Sequence, residues 1–324
     1  MKNKDFYSYI IMGLIFILIP LFIKNSYIIH ILSMFFMFSM LTFGLNLITG
    51  VAGQFSIGHA GFYGVGAYIA ALIATKVVVI PYLLELILSA VGASIFAILV
   101  ASSCSRVSGD YLAIVTLGAA EVFRLVCVNW SSVTGGPMGI AGIPYPHIFS
   151  FIIDTEVKFY YLGLIYFFII LIFCNLILNS KYGRAFRAIR EDEIAAASMA
   201  IPVLKYKILV FSIGGFFAGI AGNYVAHLLR FVSPDNFTLG ESIYLVEAII
   251  LGGLGSLTGS FVGAGIMLFL TEFLRVAPAA WRMLIIGVLI IVVMIKMPEG
   301  IMGKKNINLI YKSSKKGFSN ETSK

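Results

Sequence analysis

The chain has 324 residues, 60% of them hydrophobic and 12% charged, with a net charge of +8 and a mean hydropathy of +0.99. Soluble domains carry about 25% charged residues, so a soluble globular fold is excluded. The positive balance reads as basic loops on one side of a membrane, not as a nucleic-acid surface. A hydrocarbon core of ~30 Å needs about 20 apolar residues per helical crossing, and such runs recur from residue 7 to residue 297. They are continuous, not alternating, which selects helices over a closed barrel. The sequence therefore predicts an all-α polytopic membrane protein, with glycine-rich broken or re-entrant segments.

The opening stretch "MKNKDFYSYIIMGLIFILIPLFI" has the basic start and apolar run of a signal peptide. It lacks a small-x-small cleavage site and further spans follow at once, so it reads as a retained first span. In chain order the spans are expected at 7–24, 27–50, 60–76, 81–104, 110–129, 159–179, 206–229, 241–257, 259–275 and 279–297. The 241–275 region reads equally as two full spans or as a broken pair. Ten crossings place both termini on one side. With the termini inside, 16 of the 23 lysines and arginines fall on inner segments, which predicts cytoplasmic termini. A single membrane domain covers 1–303, with a cytoplasmic loop at 180–205. The basic tail 304–324 reads as a disordered end near anionic headgroups. Cys104, Cys127 and Cys174 lie in or beside apolar runs and read as buried thiols.

Two glycine-rich runs interrupt this pattern. In "GLNLITGVAGQFSIGHAGFYGVGAY" (44–68) the polar residues Asn46, Gln54, Ser56 and His59 sit between apolar stretches. Polar groups at membrane depth are costly and face a protein interior or an aqueous path. The run reads as a broken helix lining a path, or as a tight interfacial turn whose side chains serve local backbone. In "LGGLGSLTGSFVGAGIM" (251–267), Gly255, Gly259 and Gly263 form overlapping G-x-x-x-G steps, the spacing of a close helix contact. A backbone break near Ser256 would make the same glycines part of a hairpin.

Intramembrane charges are few. Glu121 and Arg124 are three apart and can share a helical face; Glu85, Glu247 and Glu272 have no obvious local partner, and Glu247 is the most interior by position. The long Gly/Pro-rich connection 130–158 reads as a functional loop or a plain surface loop.

Known reaction chemistry is missing. There is no G-x-x-x-x-G-K-[ST] phosphate loop, no H-E-x-x-H, no G-x-S-x-G elbow, and the four histidines have no metal spacing. The sequence predicts no enzyme, no metal and no cofactor in this chain. The densest charge lies in "SKYGRAFRAIREDEIAAASMAI" (180–201), which cannot cross a membrane and reads as a helix at the cytoplasmic surface.

Five segments, "GLNLITGVAGQFSIGHAGFYGVGAY", "GDYLAIVTLGAAEVFRLV", "TGGPMGIAGIP", "GRAFRAIREDEIAAASMAI" and "ILGGLGSLTGSFVGA", occur in the order expected of one family. Together they resemble the permease subunits of branched-chain amino-acid ABC importers, of the longer M type, from about residue 40 to 300. The resemblance implies a second homologous permease, two ATP-binding subunits on the cytoplasmic face, an external solute-binding protein, a prokaryotic cell membrane and no nucleic acid. It implies import of branched-chain or other apolar amino acids, with ATP hydrolysed elsewhere. It also implies that Gly183, Arg184, Arg187, Arg190, Glu191, Asp192 and Glu193 form the coupling loop gripping an ATPase subunit. Two departures stand out: Ala200 where the family pattern usually has Gly, and Ser260 where it usually has Pro. A urea or short-amide permease shares these motifs and remains the alternative. An ion-coupled secondary transporter should show inverted repeats or ion-site carboxylates; a channel is the other competing class.

Overall fold

The computed structural model describes residues 3–76, 80–104, 107, 109–148 and 151–303. The tail 304–324 and Arg106, both used in the sidedness argument, lie outside the described residues. In chain order the helices are α1 (Asn3–Phe22), α2 (Ser26–Leu45), α3 (His59–Lys76), α4 (Tyr82–Ser103), α5 (Asp110–Asn129) and the single turn α6 (Ser131–Thr134). They continue as α7 (Glu156–Asn179), α8 (Lys181–Glu191), α9 (Glu193–Ser198), α10 (Val203–Leu229), α11 (Leu239–Gly252), α12 (Leu257–Phe273) and α13 (Ala279–Lys296).

Six stretches among the described residues are long and apolar enough to cross a membrane: Ser26–Val51, Tyr82–Ser103, Asp110–Asn129, Glu156–Asn179, Val203–Leu229 and Leu257–Val276. The fold is all-α and multi-pass, and the expected ten crossings are not reached by this measure. The other four expected segments also hold helices, α1, α3, α11 and α13, which are not among these six. At 14 residues α11 spans about 21 Å, so the 241–275 region is a pair of helices joined through residues 253–256.

The centre of the bundle is α10, packed against α4, α3 and α2. Small residues set the spacing: a Cβ on Gly219 would stand 2.7 Å from both Ala90 Cα and the Ser89 carbonyl of α4. Without a hydrophobic drive between helices in lipid, such close backbone approach carries the association. Around it runs a seam of aromatic rings from α2, α7 and α12, with Phe35–Phe261 at 4.9 Å, Phe36–Tyr160 at 5.1 Å and Phe43–Phe167 at 5.6 Å. The three cysteines are buried free thiols.

The two ends of α10 mark the two ends of the bundle. Near Lys207 lie α8 and α9; near His227, about 30 Å away along the helix axis, lies the connection 130–155. That connection is structured: β1 (Ile140–Ala141) pairs antiparallel with β4 (Phe231–Val232), and β2 (His147–Ile148) with β3 (Phe151–Ile152).

Candidate functional site

At its far end α2 widens into a π-helical turn, Asn46–Val51, a distortion that is frequent at functional positions. The wider turn lets the Asn46 side chain leave its own helix. Its Oδ1 accepts from the Gly255 N–H at 2.8 Å and its Nδ2 donates to the Ser256 carbonyl at 3.2 Å. A Cβ on Gly50 would overlap that Asn46 oxygen, so this bridge requires glycine at 50. The chain then runs without helix from Ala52 to Gly58. Thr49 Oγ1 holds it, donating to the Gln54 carbonyl at 3.2 Å and accepting from Ser56 N–H at 3.3 Å.

The α8–α9 unit meets this segment. Ser180 caps α8 by accepting from Tyr182 N–H at 3.1 Å, and Asp192 caps α9 by accepting from Ile194 and Ala195 N–H at 2.8 and 3.0 Å. Gly183 is buried, with the Ile177 and Leu178 carbonyls 2.5 Å from where a Cβ would stand. Arg190 Nη1 donates to the Gly50 carbonyl. Glu193 accepts from Gln54 Nε2 at 3.0 Å and pairs with Lys207 Nζ at 2.7 Å. Arg184, Arg187 and Glu191 are exposed, and Arg187 Nη2 donates to the Leu178 carbonyl at 3.1 Å. Of the seven residues read as one motif, Arg190 and Glu193 reach the broken segment, although Arg190, like Asp192, is also exposed.

Lys207, with a side chain only 8% exposed, was not singled out from sequence. Its signal was a lysine entering an apolar helix just after an unpaired acidic cluster.

The glycines of 251–267 also divide. Gly255 lies in the connection with φ +82° and is not on a helical face with the other two, which corrects the G-x-x-x-G reading of all three. Gly259 and Gly263 do pack, against Gly252 and the Ala248 carbonyl across the α11–α12 hairpin. At Ser260 the helix is continuous, its N–H donating to the Ser256 carbonyl at 3.0 Å, a bond that a proline could not make. Ala200 has φ +59°, the left-handed region that glycine occupies without strain.

Three residues of the 52–59 segment are buried with polar atoms lacking partners among the described residues: Gln54 Oε1, Ser56 Oγ and both His59 ring nitrogens. His59 is fully buried, its ring edge-on to Phe62 at 5.8 Å. Each such atom costs about 1–3 kcal/mol of lost solvation.

Glu121 and Arg124 form a forked pair on α5, Nη2 to Oε1 at 2.5 Å and Nε to the two oxygens at 2.9 and 3.0 Å. They do not join the α8–α9 contact. Their helix touches the broken segment one and a half turns earlier, where Thr116 Oγ1 accepts from Ile57 N–H at 3.2 Å. Glu247 makes no hydrogen bond or ion pair among the described residues, and Glu272 pairs with Arg275 at 3.3 Å, a local partner three residues on.

A second polar cluster, which sequence reasoning missed, lies at the other end. The Glu85 carboxylate receives His227 Nε2 at 2.6 Å and Asn223 Nδ2 at 2.9 Å, and His227 Nδ1 faces the Pro144 carbonyl at 2.9 Å. A cavity of about 170 Å³ adjoins this pair beneath Tyr145 and His147.

With that geometry in place, comparison with known proteins is informative. Residues 27–294 match the family described as branched-chain amino acid transport system, permease component. The chain is 32% identical over 308 residues, 88% of its own length and 72% of the relative's, to the high-affinity branched-chain amino acid transport system permease protein LivM of Salmonella typhimurium. It is 31% identical to LivM of Escherichia coli, covering 85% of this chain and 69% of that protein, and 25% identical to the LivH permease of Salmonella typhimurium, covering 84% and 93%. No solved structure matches it. The chain belongs to the family of branched-chain amino acid transport system permease components.

Proposed function

We propose that this chain is the M-type membrane subunit of an ATP-binding-cassette importer that passes branched-chain or other apolar amino acids. Its companions in this reading are a second homologous permease, two ATP-binding subunits and an external solute-binding protein. Both termini, and α8–α9 with them, face the cytoplasm, in keeping with the excess of lysine and arginine on that side.

The observation that carries the reading is the placement of α8–α9. It is an amphipathic, charged unit standing at one end of an apolar bundle, joined directly to α7 and α10. Arg184, Arg187 and Glu191 are exposed there beside Ile194 and Met199, which are 80% and 78% exposed. A solvent-facing edge of mixed charge and apolar anchors suits a protein partner, and the chain itself has no nucleotide-binding loop.

The path is assigned to the polar residues of the 46–59 segment, Asn46, Gln54, Ser56 and His59, together with Glu247 and the Glu121–Arg124 face of α5. That pair is part-exposed on a helix whose exposed apolar residues include Tyr111, Ile114, Val122, Leu125 and Val126. An ion pair on a membrane helix is costly against lipid, so water or the second permease covers that face in this reading.

Uptake of labelled leucine against labelled urea, by vesicles containing the co-purified complex, tests the proposal. Leucine uptake supports it, and uptake of urea alone transfers the chain to the amide-transporting branch.

A further inference from the structure

We propose that Arg190 and Glu193 are positioning residues for transport, fastening α8–α9 to both breaks in the membrane helices so that displacement of this unit moves the breaks. The inference rests on the reading above, in which force reaches the chain through α8–α9.

Arg190 sits in the last turn of α8. Its Nη1 donates to the Gly50 carbonyl in the π-helical turn. The same nitrogen stands 2.9 Å from where a Cβ of Gly255 would be, in the α11–α12 connection. Its Cα and Cβ lie 3.1 Å, and its Cγ 2.9 Å, from the corresponding point on Gly53. One side chain therefore touches both interruptions, and Asn46 ties the two to each other through Gly255 and Ser256. Three residues on, Glu193 holds the same segment from α9 through Gln54 at 3.0 Å, while Lys207 at 2.7 Å holds it to the first turns of α10. The broken segment is thus gripped at two points four residues apart, one from each helix of the unit.

The gripped segment is suited to move. Residues 52–58 have no helical ladder to resist displacement. Beyond the grip, Gln54 Oε1, Ser56 Oγ and the His59 ring nitrogens are buried without partners among the described residues. Buried polar atoms are nearly always paired, so this segment holds unused bonding capacity that a second arrangement can satisfy. Two arrangements differing in paired groups are what a transport cycle requires. Arg184, Arg187, Glu191, Ile194 and Met199 are exposed and make no hydrogen bond to either break among the described residues, whereas Arg190, also exposed, reaches both.

The test uses the complete complex in proteoliposomes, with Arg190→Ala and Glu193→Ala made separately. The second removes both the hydrogen bond to Gln54 and the charge paired with Lys207. Uptake and ATP hydrolysis are measured together, and a reporter at half-buried Ile57 (Ile57→Cys), in the same segment but outside the assigned path, is labelled with maleimide with and without trapped nucleotide. The three native cysteines are buried. The expected result is that ATP hydrolysis persists, uptake per ATP falls to background, and the nucleotide-dependent change in reporter labelling seen in the parent is lost. Uptake and hydrolysis falling in equal proportion in assembled complexes would overturn the proposal, as would a parental ratio in both variants or a parent reporter indifferent to nucleotide. Absence of ATP-driven uptake by the parent complex, read before any variant is made, would overturn the functional reading itself.

Discussion

Asn46 and Gly255 are joined across 209 residues by a 2.8 Å hydrogen bond from the glycine N–H to the asparagine side-chain oxygen. The bond exists because Gly50 has no Cβ to fill the space that the Asn46 oxygen occupies. Gly50→Ala is therefore expected to break it and to destabilise the protein by ~1–3 kcal/mol through overpacking. Gly287 on α13 has nothing within 4 Å of its Cβ position, and Gly287→Ala should be neutral or slightly stabilising. Thermal unfolding of the two detergent-purified variants checks the contrast; equal loss from both would contradict it.

Ala200 adopts φ +59° after α9. Left-handed backbone costs an L-residue about 1–2 kcal/mol, so Ala200→Gly should raise the unfolding temperature. A substitution that lowered it would show that the extra freedom of glycine in the unfolded chain outweighs the relief of strain.

The Glu85–His227 pair is buried on both sides, its side chains 6% and 2% exposed. Removing one partner leaves the other buried with only its Asn223 or Pro144 contact, and the loss of a buried hydrogen-bond partner costs about 1–3 kcal/mol. Glu85→Ala and His227→Ala should each destabilise strongly. The double variant Glu85→Ala with His227→Ala should cost less than the sum of the two single losses. Additive losses in that cycle would mean the two side chains are not energetically coupled.

Sidedness follows from the two ends of α10. Arg184→Cys on α8 should react with an impermeant maleimide only in inside-out vesicles. Met138→Cys, at a position 82% exposed in the opposite connection, should react only in right-side-out cells. The reverse pattern would invert the proposed orientation.

The apolar runs made the helices legible, and the glycine clusters located both interruptions, because composition alone decides whether a segment prefers lipid. What sequence could not show is what crosses between segments. Asn46 stood out as a polar residue among glycines, but its partners are backbone groups of Gly255 and Ser256, which have no side-chain signature. Gly255 was placed on a packing face because G-x-x-x-G spacing presumes a continuous helix, and residues 253–256 are not helical. Arg190 and Glu193 were visible as charge, whereas their division from Arg184 and Arg187 depends on which way α8 faces. The Lys207–Glu193 and Glu85–His227 pairs are not legible in sequence, because their members lie on different helices, 14 and 142 residues apart. For the crossings, length and hydropathy single out six among the described residues; of the rest, α11 is short and α3 is rich in Gly and Tyr.

The most direct measurement is leucine uptake by proteoliposomes that hold this chain and its co-purified companions, compared with matched vesicles lacking only the ATP-binding subunits. The account predicts ATP-dependent accumulation in the first and none in the second. Accumulation in both would contradict it.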